Sequence, residues 1–358
     1  MGTAPGIPKD QRPRRRVGLR YAAVPLIALA VAGLVAFALS RLDLHRVGHD
    51  LITASPGWIA LALLLMALSL VLRSVSWQQT LRAALPQTPI PWPPVIRATM
   101  IGVMASAVFP GRVGEPTRVV VLARRLEGRT RYLIAVLAGT VFSQTLINLV
   151  ALAILAAVTF GSVSIFHGRE AGLAGALAIP ALIGAVVLGG PSLLRLAQRS
   201  RSERVRRLAS SITRALHLAR RGLAMFTRPR HGVPAAAAQL FAWALQWGSC
   251  YMIILALGLQ HQATPATAAA VLLAVNVSAV LPATPSNVGV FQAACLVVLA
   301  AYGVGAGQGL AYGILLQAVE VVTALALGVP ALLAEGLTWQ DIRRAPQAGA
   351  REELEEFA

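Results

Sequence analysis

Apolar runs long enough to cross a bilayer, separated by short arginine-bearing segments, constrain this chain more than any other feature of it. A membrane-crossing helix takes about 20 apolar residues. Six stretches qualify as full spans: residues 21–40, 57–77, 133–160, 171–194, 234–259 and 308–334. Composition agrees, with 56% of 358 residues apolar and 13% charged, against roughly 25% charged in a soluble domain. Mean hydropathy is +0.68. The first run competes with a signal-peptide reading, because Ala36 and Ala38 frame a cleavage-like site. Signal cores run roughly 7–15 residues, however, and this run is longer, so it is read as a retained span.

The formal charge of +18 invites a nucleic-acid reading, which the placement of the charge excludes. Nucleic-acid binders carry a basic stripe on a soluble fold, whereas here the arginines lie between apolar spans and Lys9 is the one lysine. Cytoplasmic loops of membrane proteins collect basic residues. With the N-terminus inside, the outer loops hold Arg41, Arg46 and Arg169, while eleven arginines fall between Arg195 and Arg230 on the inside. The expectation is a multi-pass protein of the plasma membrane. Both termini are then cytoplasmic: a disordered basic tail over 1–20, and a tail over 337–358 with an acidic Glu352–Glu356 cluster.

Within the basic segment 195–231, Val205, Leu208, Ile212, Leu216, Leu223 and Phe226 recur at helical spacing. Such a helix can lie on the inner leaflet and attract anionic lipids, at about 1 kcal/mol per basic residue. A solvated positive loop is the alternative. Cys250 and Cys295 both fall in apolar stretches and form no disulfide framework.

Two further apolar stretches are interrupted. Residues 95–109 and 116–122 flank a Pro-Gly-Arg break, and residues 267–281 and 288–301 flank a break over 282–287. Each piece is too short to cross alone, and non-helical backbone at membrane depth survives where protein or a wet cavity covers it. Both are therefore expected to be re-entrant or broken hairpins. The two breaks share the pattern V-x-x-S-A-V-(F/L)-P, at Val103–Pro110 and Val275–Pro282. The predicted fold is an all-α integral membrane domain over 21–336, with about six full spans and two hairpins. Halves 21–160 and 171–334 would each cross three times, so the second half would be inverted. Inverted repeats with broken helices meeting near the midplane mark transporter binding sites.

The first break reads Pro110-Gly111-Arg112-Val113-Gly114-Glu115-Pro116-Thr117-Arg118. Gly111 and Gly114 permit tight turns, including positive φ, and Pro116 suits the first turn of a new helix. A helix N-terminus beside Arg112 and Arg118 would hold a phosphate. Ser286 and Asn287 in the second break supply a similar N-terminus without a cation. Glu115 and Glu320 sit in apolar segments, where a charge costs about 2.5–3.5 kcal/mol at the bilayer centre. They must pair or couple to ions; Arg112 and Arg118 are near enough to neutralise Glu115. Gln317 shares the face of Glu320, and Gln144 and Asn148 form a polar face suited to interhelical hydrogen bonding.

Enzyme signals are weak. The histidines (His45, His49, His167, His217, His231, His261) fall in loops or near span ends, with no metal-ligand spacing and no nucleotide loop. No metal or cofactor is expected.

The stretch Pro110–Arg118, followed by Arg124-Arg125, resembles the P-x-R-x-G-E-x-x-R signature of the flippase-like transmembrane domain of lysylphosphatidylglycerol synthases. Residues 282–292 are similar to that family's P-x-x-P-G-G-x-G-x-x-E stretch. Ser286 and Asn287 stand where Gly-Gly is usual, and Gln292 where Glu is usual, so that position lacks a carboxylate for ion coupling. The resemblance spans roughly residues 21–336. It implies a translocator that moves an anionic or aminoacylated phospholipid, or a polyprenyl-phosphate-linked lipid, between leaflets. With about twenty residues after the last span, a stand-alone relative without the aminoacyl-transferase domain is expected. Energy would then come from an ion gradient or a partner, or movement would be downhill. The competing reading is a membrane scaffold or regulatory subunit serving envelope-biosynthesis enzymes. An intramembrane lipid-modifying enzyme and a solute transporter rank below it.

Overall fold

The computed structural model describes residues 44–109, 113–126, 130–162, 223–279 and 287–336. Among these residues the regular structure is entirely helical. The helices are α1 (Leu44–Thr53), α2 (Pro56–Ala84), α3 (Trp92–Val108), α4 (Gly114–Ala123), α5 (Thr130–Ser162), α6 (Pro229–Ala256), α7 (Pro265–Ser278), α8 (Val290–Ala301) and α9 (Ala306–Ala334). A 3-10 turn, Leu223–Thr227, precedes α6. The spans expected at 21–40 and 171–194, both terminal tails, and the amphipathic segment up to residue 222 lie outside the described residues.

Four helices are long and apolar enough to cross a membrane, namely α2, α5, α6 and α9. They correspond to the expected runs at 57–77, 133–160, 234–259 and 308–334, and the chain is a multi-pass membrane protein. The helices outrun their apolar cores. At 29 residues, α2 is about 43 Å long against a hydrocarbon slab of about 30 Å, so it continues through Gln78, Gln79 and Arg82 beyond the apolar run. Counting apolar residues measures the slab rather than the helix. Proline in the first turn starts α2, α3, α6 and α7, where a missing N–H costs nothing.

Packing follows membrane rules rather than those of a water-facing core. Large apolar side chains such as Leu64, Val150, Ile154, Val322 and Leu333 point outward, while Ser69, Ser74, Ser76 and Thr80 on α2 are buried. Small residues let helices approach closely, and the hydroxyls of Ser69, Ser74 and Thr80 return to the helix's own carbonyls, as Ser74 Oγ does to Leu70 O at 3.0 Å.

The helices α2 and α6 pack antiparallel along their length. Ser55 N donates to Ala256 O at 2.9 Å at one end, and Arg228 Nη1 to Ala83 O at 2.9 Å at the other. Between them, Ser249 Oγ donates to Ala62 O at 2.9 Å.

The two interrupted stretches are helical pairs. With 17 and 10 residues, α3 and α4 are about 25 and 15 Å long. With 14 and 12 residues, α7 and α8 are about 21 and 18 Å long. The partners in each pair pack on one another. The first hairpin opens where α2 ends, and the second where α6 ends. In addition, α3 packs on α9 and α7 packs on α5, so each hairpin leans on the span that follows the other hairpin.

At the open end of the first hairpin, Glu335 just after α9 is clamped by two arginines. Arg125 Nε lies 2.6 Å and Arg97 Nη1 3.3 Å from its carboxylate, whose side chain is 3% exposed. Arg125 also donates to the Glu335 carbonyl at 3.2 Å.

Two local expectations change. Residues 41–56, read from sequence as an outer loop, include α1, whose buried Val47 packs on the start of α9 beside Gly307. Gly114 is required for close approach rather than for a positive-φ turn. It is helical, and a Cβ there would stand 2.0 Å from Gly102 O and 2.2 Å from Ser106 Oγ. Gly114→Ala therefore forces α3 and α4 apart against backbone. Such overpacking costs about 1–3 kcal/mol, to be read as a lowered thermal midpoint in detergent, whereas Gly48→Ala, with open space around it, leaves the midpoint unchanged.

Candidate functional site

Near the middle of the long helices the apolar pattern is broken by a layer of charged and amide side chains. Its scaffold is one face of α5, where Thr140, Gln144 and Asn148 follow one another at four-residue spacing and so stack on one side. Each holds a different partner. Thr140 Oγ1 accepts from Trp77 Nε1 of α2 at 3.0 Å. Gln144 Nε2 donates to the Arg73 carbonyl at 3.2 Å. Asn148 Oδ1 accepts from Trp243 Nε1 at 2.9 Å and from Gln239 Nε2 at 2.7 Å, both on α6.

The two fixed indoles are platforms for the two arginines of the layer. The Arg118 guanidinium lies 4.8 Å from the Trp77 ring centre, and that of Arg73 5.7 Å from the Trp243 ring centre. A desolvated cation over an indole gains about 2 kcal/mol, which offsets part of the cost of a charge at this depth. Arg73 also donates from Nη2 to Gln246 Oε1 of α6. On α4, Arg118 Nη2 pairs with the carboxylate of Glu115 one turn earlier, with the arginine side chain 11% and the glutamate 53% exposed.

Two features remain unsatisfied. The Nε–H groups of Arg73 and Arg118 are buried and have no hydrogen-bond partner among the described residues. Glu320, at the centre of α9, makes neither a hydrogen bond nor an ion pair among those residues. The nearby charge that acts on it is Arg73, which is also within the field of Glu115 and Arg118. Two guanidinium groups and two carboxylates thus share one layer, with half of their pairing unfinished.

The second hairpin reaches the same layer through amides. Gln292 Oε1 accepts from the Gly289 N–H at 2.7 Å, capping α8, and its Nε2 donates to Gln317 Oε1, one turn before Glu320 on α9. Asn287 has φ +52°, a left-handed conformation that glycine and asparagine tolerate best. Its presence where the resembled motif has glycine is therefore physically conservative.

Of the residues singled out from sequence, Glu115, Arg118, Glu320, Gln144 and Asn148 converge on this layer. Gln292 and Gln317 border it. Gly114 serves the hairpin contact, and Gly111, Arg112 and Ser286 lie outside the described residues. Sequence reading missed Arg73, Trp77, Trp243 and Gln246. A signal existed for Arg73, because an arginine inside an apolar run marks a functional position by default. The indoles and the glutamine carried none. Among the described residues no cluster of His, Cys, Asp and Glu could hold a metal ion.

Because Asn148 holds two buried donors, Asn148→Leu leaves both unpaired. The expected loss is about 1–3 kcal/mol per orphaned group, read as a lowered melting midpoint together with altered Trp243 emission. An unchanged midpoint and spectrum would remove Asn148 as the anchor.

No curated protein sequence matches the chain significantly. The family model described as lysylphosphatidylglycerol synthase TM region matches residues 22–328. That match takes in both hairpins, the α5 scaffold and all four charges of the layer, and the chain belongs to the family of lysylphosphatidylglycerol synthase transmembrane regions.

Proposed function

We propose that this protein moves a phosphate-bearing lipid, either an anionic or aminoacylated phospholipid or a polyprenyl-phosphate-linked lipid, between membrane leaflets. The observation that carries the reading is a mid-depth layer in which two guanidinium groups keep buried N–H donors without partners among the described residues. A lipid phosphate supplies oxygens for such donors, and paired guanidinium groups recognise it strongly. Family membership supports the same reading at a coarser level.

The packing also favours an inverted repeat. Each half contributes a span, a hairpin and a further span, and each hairpin's first helix packs on the final span of the other half. Arg112, with Gly111 and Gly114, forms the hairpin side of the phosphate site in this reading. Ser286 and Asn287 form the opposite wall, and Glu115 and Glu320 balance or couple charge. Arg82, Arg97, Arg124, Arg125, Arg228 and Arg230 gather at the end where the first hairpin opens, so that end faces the cytoplasm of the cell membrane.

Reconstitution tests this directly. Liposomes containing the full chain and a fluorescent anionic phospholipid are expected to lose label protection when an impermeant quencher is added. Arg118→Ala and Arg112→Ala should slow the loss by about tenfold or more, as expected for removing a buried charged hydrogen bond, with a smaller effect for Glu115→Gln. Equal rates for wild type, variants and empty liposomes would remove the transport reading. Single cysteines placed at Gln87 and Gln260, in a background with Cys250 and Cys295 replaced, check the sidedness in whole cells. An impermeant maleimide should label position 260 and spare position 87.

A further inference from the structure

Arg73 and Glu320 project from the adjacent helices α2 and α9 and act on one another electrostatically without touching. Neither belongs to a hairpin break. An opposite-charge pair at this depth gains most by closing into contact, yet this one stays open. Arg73 is turned toward α6, stacked on Trp243 and bonded to Gln246, with its Nε–H left over. Glu320 keeps its acceptor oxygens free among the described residues, while Gln317 one turn earlier is tied to Gln292. The arginine is thus held in place by partners that leave one donor available. On the adjacent helix stands the Glu320 carboxyl group, whose oxygens offer hydrogen-bond acceptors.

We propose that Arg73 and Glu320 form a headgroup-reading station separate from the hairpin break, in which Arg73 takes the phosphate of a lipid and Glu320 takes a hydrogen-bond donor, hydroxyl or ammonium, of the same headgroup. The identity of the ligand as a lipid rests on the transport reading; the station itself rests on the two side chains. It is built on the full-length helices α2 and α9, whereas Glu115 and Arg118 belong to the short helix α4, so a headgroup released from the hairpin has a second place to bind. The station selects headgroups by whether they carry a donor, and choline carries none.

The test uses the purified full chain in a non-ionic detergent, titrated calorimetrically with short-chain phosphatidylglycerol, phosphatidylethanolamine and phosphatidylcholine, and with inorganic phosphate. Wild type should favour the two donor-bearing lipids over the choline lipid. Arg73→Gln should weaken phosphatidylglycerol binding by about tenfold, equivalent to about 1.4 kcal/mol, with recovery in Arg73→Lys. Glu320→Gln should retain choline-lipid binding and lose the preference for donor-bearing headgroups. Unchanged affinity in Arg73→Gln, or an unchanged preference in Glu320→Gln, overturns the proposal. Inorganic phosphate binding as tightly as the lipids overturns it in favour of a free-anion site. Should Arg73→Gln fail to fold, as judged by size-exclusion profile, the headgroup preference of Glu320→Gln decides alone. The two readings fail separately: a chain that binds as described but moves no lipid refutes transport, whereas one that moves lipid with Arg73→Gln unaffected refutes the station.

Discussion

A charge held halfway through a bilayer must be solvated by the protein, and here one helix face does most of that work. Thr140, Gln144 and Asn148 on α5 fix two indoles and one backbone carbonyl, and the indoles in turn underlie Arg118 and Arg73. The stripe contributes neutral dipoles instead of counter-ions. Arg73 is therefore positioned without an ion-pair partner among the described residues, Arg118 keeps Glu115 as its one counter-ion, and the Nε–H of each stays available. A scaffold of carboxylates at the same places would have closed the site into salt bridges.

The hairpins depend on a different property, which is the absence of side chains. Gly114 against Gly102, and Gly328 against Met104, bring helix backbones to separations that a methyl group would forbid. Short helices that end inside the membrane leave terminal backbone groups exposed to a medium without water. Gln292 answers part of that need at α8 by capping Gly289.

Much of the architecture was legible in the residues alone, because bilayer thickness imposes a length on apolar runs and breaks in them stand out. The positions of α2, α5, α6 and α9, the two short-helix pairs and the Glu115–Arg118 pairing all follow from spacing. Arg73 escaped because the apolar run around it is long enough to absorb one charge without losing its character as a span. Trp77 and Trp243 read as ordinary membrane aromatics, since their roles depend on which helix faces them. Gly114 was legible as necessary but for a different reason, because a close approach to Gly102 twelve residues earlier leaves no local mark. The helix α1 was hidden by its brevity and by five polar or charged residues among its ten.

The clamp on Glu335 fixes more than one helix end. Arg97 belongs to α3 and Arg125 follows α4, so both legs of the first hairpin are tied to the last turn of α9 at one membrane surface. Together with the Met104–Gly328 contact deeper down, this packs three helices into one wedge. Any displacement of the end of α9 is therefore passed to both legs of the hairpin through charge-assisted contacts.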